Sequence, residues 1–278
     1  MNRLSRLNST QAPTVEATSF LAGRGGQHFL AALIDHRETY GSHVIQRFAE
    51  SLSGVDTAVD IGAGLGRDLR AVKCIHPNAR TIAIEAGSRY AEELLAIANE
   101  VHTLNVERDP LPCADESVDL VIGNQILEHV KEIFWVLHEV SRSLRIGGHF
   151  IVGVPNLASL HNRLLLLFGT HPTQHKLCSA HVRPFSKGDT LRFLETCFPG
   201  GYHLEQFAGA QFYPFPRRVA RFLAGLFPTG SFSIFFLLRK QRPYNDEFAM
   251  YPSRAGLETN FWTGKVTAES QYRSGTSP

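Results

Sequence analysis

Three groups of residues have the type and spacing to do chemistry. The first is Asp60-Ile-Gly62-Ala-Gly64-Leu-Gly66. Its glycines let the backbone turn sharply and approach a ligand, leaving amide groups at a helix N-terminus. The second is Glu85, 21 residues beyond Gly64, where a carboxylate is placed to accept both hydroxyl hydrogens of a ribose. The third is a set of histidines, His129, His161, His171, His175 and His181. A histidine is the commonest general base, and a weakly nucleophilic hydroxyl profits from one. The spacing His171-x3-His175-x2-Cys178-x2-His181 has metal-ligand residue types but no familiar pair-plus-pair arrangement, and Pro172 interrupts a helix there, so no metal is expected.

These residues need elements to hold them. Thr57–Ile61 reads as a buried strand ending at the glycine turn, followed by a helix from about Arg67 to Ile75. A second strand covers 81–86, a helix with Ser88 as N-cap runs to Asn99, and short strands follow at 101–104 and 118–124. The spacing of Ile133, Leu137, Val140 and Leu144 predicts a helix over 131–144, stopped by Gly147-Gly148, before a strand at 149–155. Strands alternate with helices for about 100 residues, the pattern of a parallel sheet covered on both faces. Upstream, His28–Ser51 predicts two short helices or one kinked near Gly41. Downstream, Leu157–Phe168 is amphipathic, a helix is expected over 187–196, and strands over 202–207 and 232–238. Phe212–Phe227 is aromatic and basic. The tail from Gln241 is expected to be irregular, with Phe261-Trp262 docking on the body.

Dinucleotide sites place a third glycine where this chain has Arg67, so a ligand without phosphates suits the turn better. VDIGAGLGRDL, IAIEAG, NVERDPLPCADESVDLVIGNQILEHV and LRIGGHFIVGVPN, in order over about 55–156, together resemble the successive motifs of class I S-adenosylmethionine-dependent methyltransferases of the small-molecule and glycan type. The resemblance implies a doubly wound, mostly parallel, seven-stranded Rossmann-like sheet with helices on both faces and a C-terminal region covering the active site. It implies that Asp60, Gly62, Gly64 and Gly66 contact the methionine portion of S-adenosylmethionine and Glu85 the ribose. Asn105, where relatives often carry Asp, would face the adenine amino group, Val106 would line the ring, and Asn124 and Gln125 would flank the sulfonium. A flexible lead over 1–26, a methyltransferase domain over 27–240 with acceptor-pocket insertions near 157–186 and 208–230, and an irregular tail over 241–278 complete the expected organisation.

For the acceptor, His129 and His181 are candidate general bases, with a structural hydrogen bond as the alternative role for His129. His161 and Arg183 are candidate substrate contacts. O-methylation of a small molecule or saccharide is the expected reaction. The alternatives are N- or carboxyl-directed transfer, a module that binds cofactor without turnover, and a nicotinamide-dependent oxidoreductase. The 278 residues are 43% hydrophobic and 19% charged, enough to bury a core. Their 28 Lys+Arg against 26 Asp+Glu make no field for a polyanion, so nucleic acid is not an expected partner. The four dispersed cysteines and the lack of an apolar leader or span fit a reduced, cytoplasmic protein. A homodimer, and contact of the 212–227 segment with a membrane surface or lipid-linked acceptor, are compatible with the sequence.

Overall fold

A computed structural model describes residues 41–175, 177–258, 261, 262 and 264. The lead expected over 1–26 and the first helix expected before Gly41 lie outside them. In chain order the elements are α1 (Ser42–Glu50), β1 (Thr57–Ile61), α2 (Arg67–Ile75), β2 (Arg80–Ile84), α3 (Ala91–Leu95), β3 (Glu100–His102), β4 (Val118–Asn124), α4 (Ile133–Ser143), β5 (Leu144–Pro155), α5 (Leu160–Leu167), α6 (Lys187–Cys197), β6 (Tyr202–Ala210), α7 (Arg217–Leu226), β7 (Ser233–Lys240) and α8 (Glu247–Arg254).

The strands form one seven-stranded sheet in the order β3-β2-β1-β4-β5-β7-β6. β1 to β5 pair in parallel, and β7 is antiparallel to both β5 and β6. Alternation along the strands sends side chains to two cores. Val59, Ile61, Val121 and Phe150 face a cluster with Leu137 and Val140 of α4, Leu194 of α6 and Phe248 of α8. Ala58, Leu120, Ile122 and Ile151 face Val44, Ile45 and Phe48 of α1 and Val72 of α2. Both faces are therefore covered, as a parallel sheet requires. The order reverses at β1, whose chain leaves toward β2 on one side while β4 lies on the other. A crevice opens at the carboxyl ends of these two strands.

Three local expectations are corrected. The Gly147-Gly148 pair does not stop α4, which ends at Ser143. It sits inside β5, where the step from Leu144 to His149 lies opposite the shorter step from Val118 to Leu120. Gly147 (φ +80°) thus serves an irregularity in the strand. Ser88 opens a short 3-10 turn, Ser88–Tyr90, rather than capping a long helix, and no side chain caps that turn. The tail is not irregular throughout. α8 buries Phe248 completely, Tyr251 stacks on Phe134 of α4 with centroids 5.8 Å apart, and Phe261 meets the same ring edge-on at 4.9 Å.

Candidate active site

β1 carries Asp60 near its carboxyl end, buried and not among the residues that line the two cavities along the strand ends, and the glycine turn follows at once. The Gly62 and Ala63 amides donate to the Ile84 carbonyl at 2.8 and 3.0 Å, tying the turn to the end of β2. Gly66 opens α2 with φ +67°, and a Cβ there would lie 2.8 Å from Ile97 Cδ1. Gly64 is also left-handed, but its Cβ position is open because it borders the crevice. Glu85 braces the turn from the next strand. Its Oε2 accepts the Gly64 amide at 2.9 Å and its Oε1 accepts the Gly87 amide at 2.9 Å.

The turn carries concentrated negative charge. Burial, followed by the charges of Asp68 and Glu85, pushes the Asp60 carboxyl well above the usual carboxylate range. Asp68 is also raised by burial, while a hydrogen bond from Asn124 Nδ2 at 2.8 Å opposes the shift. Such a group of acids suits a cationic ligand, whose charge favours their ionised forms.

Two cavities lie along the strand ends. The smaller, about 150 Å³, is lined by residues including Glu85, Leu104, Asn105, Val106, Ile126 and Val130. Asn105 shapes its wall: its Oδ1 accepts the Glu107 amide at 3.0 Å, and its own amide donates to Asp109 at 2.8 Å. The larger, about 650 Å³, is bordered by Gly64, Asp68, Tyr90, Asn124, Gln125, Glu128, Gln174, His181 and Phe232. Gly62 and His129 line both, so the two are compartments of one crevice. Gln125 holds a left-handed backbone (φ +56°), uncommon for a residue with a Cβ. Its amide is fixed on the Gly153 carbonyl at 2.7 Å.

Glu128 is the feature that sequence reasoning missed. It lies in the 3-10 turn Leu127–His129 after β4, with 1% of its surface exposed. Burial pushes its carboxyl up to about 7. Its backbone carbonyl accepts the Val182 and Arg183 amides at 2.8 and 3.2 Å, so the turn and the post-β5 segment are stitched together. Beside it, His129 Nδ1 lies 3.3 Å from the Ala180 carbonyl, and Nε2 lies 3.9 Å from Glu128 Oε1. The His129 and His181 rings meet edge-on at 4.7 Å. Burial, then the neighbouring His129 and His175, lowers the His181 pKa, keeping it neutral at physiological pH. Glu128 Oε2, His181 Nδ1, Gln125 Nε2 and Gln174 Nε2 are buried and have no hydrogen-bond partner among the described residues. Since buried polar atoms are seldom left unpaired, this cluster has bonding capacity for a ligand. Glu128, His129 and His181 also present donor atoms within 4.8 Å of one another, close enough to gather around a cation. His181 thus joins Glu128 and His129 in the cluster, which the His171–His181 spacing did not reveal.

Two other candidates point elsewhere. Arg183 donates to the Val130 and Lys131 carbonyls at 3.0 and 2.6 Å, and burial lowers its pKa. His161 Nε2 lies 2.8 Å from Thr173 Oγ1 and its ring meets Tyr213 edge-on at 4.4 Å. Neither lines the two cavities. Both instead fasten the segment over the crevice.

A family described as "Methyltransferase domain" matches residues 59–152, the stretch from β1 into β5 that supplies all of the smaller cavity's lining and most of the larger one's. A probable S-adenosylmethionine-dependent methyltransferase of Mycolicibacterium smegmatis is 29% identical over 134 residues, 47% of this chain and 51% of that protein. A malonyl-[acyl-carrier protein] O-methyltransferase of Xylella fastidiosa is 30% identical over 113 residues, 38% of each. The chain thus spans about half or less of the length of these curated relatives. A Thermotoga maritima S-adenosylmethionine-dependent methyltransferase, described as a possible histamine N-methyltransferase, shares the fold. Its TM-score is 0.52 at 21% identity, covering 78% of this chain and 97% of that one. The glycine turn, the acid that follows β2 and the strand order accord with the family match: residues 59–152 resemble a methyltransferase domain of the class I S-adenosylmethionine-dependent type.

Proposed function

We propose that the chain transfers a methyl group from S-adenosylmethionine to a hydroxyl oxygen of a small molecule or saccharide. When bound, S-adenosylmethionine supplies a methyl group already activated on a sulfonium. Glu85 would hold the ribose hydroxyls and the small compartment beside Asn105 and Val106 the adenine. The acids Asp60 and Asp68 favour the positive charge at the glycine turn. The acceptor would occupy the remaining part of the large compartment, against Gln174, His181 and Phe232.

The observation that carries the hydroxyl assignment is Glu128. A carboxylate acceptor needs no base, and an amine only has to be neutral, whereas a hydroxyl is a weak nucleophile that gains from proton removal. A buried carboxyl at about 7 is matched to that task near neutral pH. Glu128 Oε2 would take the acceptor's hydroxyl proton as the methyl group passes from the sulfonium to the oxygen. His181 and His129 would orient the acceptor or share the proton. The remaining rate gain is proximity, supplied by the walls of the crevice.

Transfer of a labelled methyl group to matched hydroxyl, amine and carboxylate acceptors tests this. Label retained on hydroxyl acceptors and lost in Glu128→Gln supports it. Label on amines or carboxylates alone, unchanged by Glu128→Gln, excludes it.

A further inference from the structure

The surface beside the crevice departs from the rest of the molecule. Among the described residues, 17 large apolar side chains are exposed, and 12 of them fall within residues 160–182 and 215–227. On α5 they include Leu164 and Leu167, while the helix is seated inward by Asn162, which is fully buried and donates to the Asn156 carbonyl and to Gln174 Oε1. On α7 they are Val219, Phe222 and Leu226, the helix resting on the small residues Ala220 and Ala224. The two segments touch: Leu160 and Phe212 both lie against Gly230, and His161 meets Tyr213. Both adjoin the large compartment, through Gln174 and through Phe232.

Charge is segregated in the same place. Residues 157–186 hold Arg163, Lys176 and Arg183, and residues 208–230 hold Arg217, Arg218 and Arg221, with no Asp or Glu in either stretch. The remaining 22 basic residues face 26 acids, so the rest of the chain is net −4 while these stretches are net +6. Apolar side chains projecting beside cations on a short amphipathic helix are what an interfacial, bilayer-surface helix needs. Exposed apolar side chains gathered in one region and set beside polar or charged residues mark an interaction surface.

We propose that the α5–α7 face docks on an anionic lipid surface and presents the mouth of the large compartment to it. The occupant follows from charge complementarity. The two helices themselves carry Arg163, Arg217, Arg218 and Arg221 and no Asp or Glu, which calls for a negative partner. Residues 1–40 carry four arginines against Glu16, Asp35 and Glu38, so they offer no such charge, and a second copy would bring a like-charged face. Docking is a property of this face alone. That the acceptor resides in or on the membrane rests in addition on the methyltransferase reading.

Co-sedimentation of the full chain with vesicles tests the docking. Phosphatidylcholine vesicles containing phosphatidylglycerol should bind it at least about tenfold more tightly than phosphatidylcholine alone, with the difference shrinking as salt rises. Phe222→Ser with Leu226→Ser, both at exposed positions, should lower binding about tenfold or more, and Arg218→Glu should lower it selectively on anionic vesicles. Binding of S-adenosylhomocysteine should be unchanged in these variants. No sedimentation with anionic vesicles overturns the proposal, whether residues 1–40 or a second copy takes the face. Equal binding of the wild type and the Phe222/Leu226 variant overturns it as well. Vesicle binding without S-adenosylhomocysteine binding leaves docking intact and removes the proposed function, so the two fail separately.

Discussion

Glu85 Oε2 accepts the Gly64 amide at 2.9 Å, so the acid that ends β2 braces the glycine turn that ends β1. The pair links two requirements of the crevice. The turn must keep its left-handed shape, and the carboxylate is the one proposed to hold a ribose. Hydrogen bonds to a charged group contribute about 1.5–3 kcal/mol each. Glu85→Ala is expected to weaken S-adenosylhomocysteine binding about a hundredfold in calorimetry, while circular dichroism reports an unchanged fold. Unchanged affinity would remove the ribose role from Glu85.

The raised pKa values of Asp60 and Asp68 fix a sign for cofactor binding. Burial favours their protonated forms, and a cationic ligand favours the ionised forms, so binding releases protons. Affinity for S-adenosylmethionine should therefore rise with pH as these acids ionise, and rise more steeply than for S-adenosylhomocysteine, which lacks the sulfonium charge. Titrations in buffers of different ionisation enthalpy measure the protons released. Identical pH profiles for the two ligands would contradict this role of the acids.

Glu128 makes stability and activity pull apart. Below about pH 4.5, the group's ordinary value, its carboxyl is protonated in both folded and unfolded chains. As pH rises toward and through about 7, the folded chain loses the stability that the buried neutral form gave. The full difference is on the order of 3 kcal/mol by linkage. Glu128→Gln removes that cost, so the variant should melt higher than wild type at pH 8 and show little difference at pH 4.5. Methyl transfer should fall about a hundredfold or more. A variant less stable at pH 8 would show that the buried carboxylate is satisfied in the fold.

Gly66 tests the backbone of the turn. Its φ of +67° disfavours a side chain, and an added Cβ would meet Ile97 at 2.8 Å and Leu94 at 3.0 Å. Gly66→Ala should lower stability by about 1–2 kcal/mol, read from denaturant midpoints, and weaken cofactor binding because α2 would start out of place. Wild-type stability would show that the turn tolerates another geometry.

Much of this was legible in the sequence because it follows from periodicity and glycine. The strands at Thr57–Ile61 and 118–124 are mostly apolar runs, buried on both faces except at one end, and the glycine turn between β1 and α2 is written in its residues. What was hidden depends on tertiary direction. The LEHV turn has neither helical nor strand period, so nothing in it says that Glu128 points inward, although His129 is a candidate base on the sequence alone. Arg183 looks like an anion ligand in sequence, yet two carbonyls of the neighbouring loop take its guanidinium. The helix α8 was obscured by Pro252 and a polar setting, and only its burial of Phe248 under α6 explains it. Gly147-Gly148 follows a helix closely enough to look like its stop, but partner β4 uses the pair to shift register.

The central claim is that this crevice holds S-adenosylmethionine. Calorimetric titration of the full chain with S-adenosylhomocysteine, with NADH as control, tests it most directly. The account predicts saturable binding at about one equivalent with micromolar affinity, and no binding of NADH. Binding of NADH alone would contradict it.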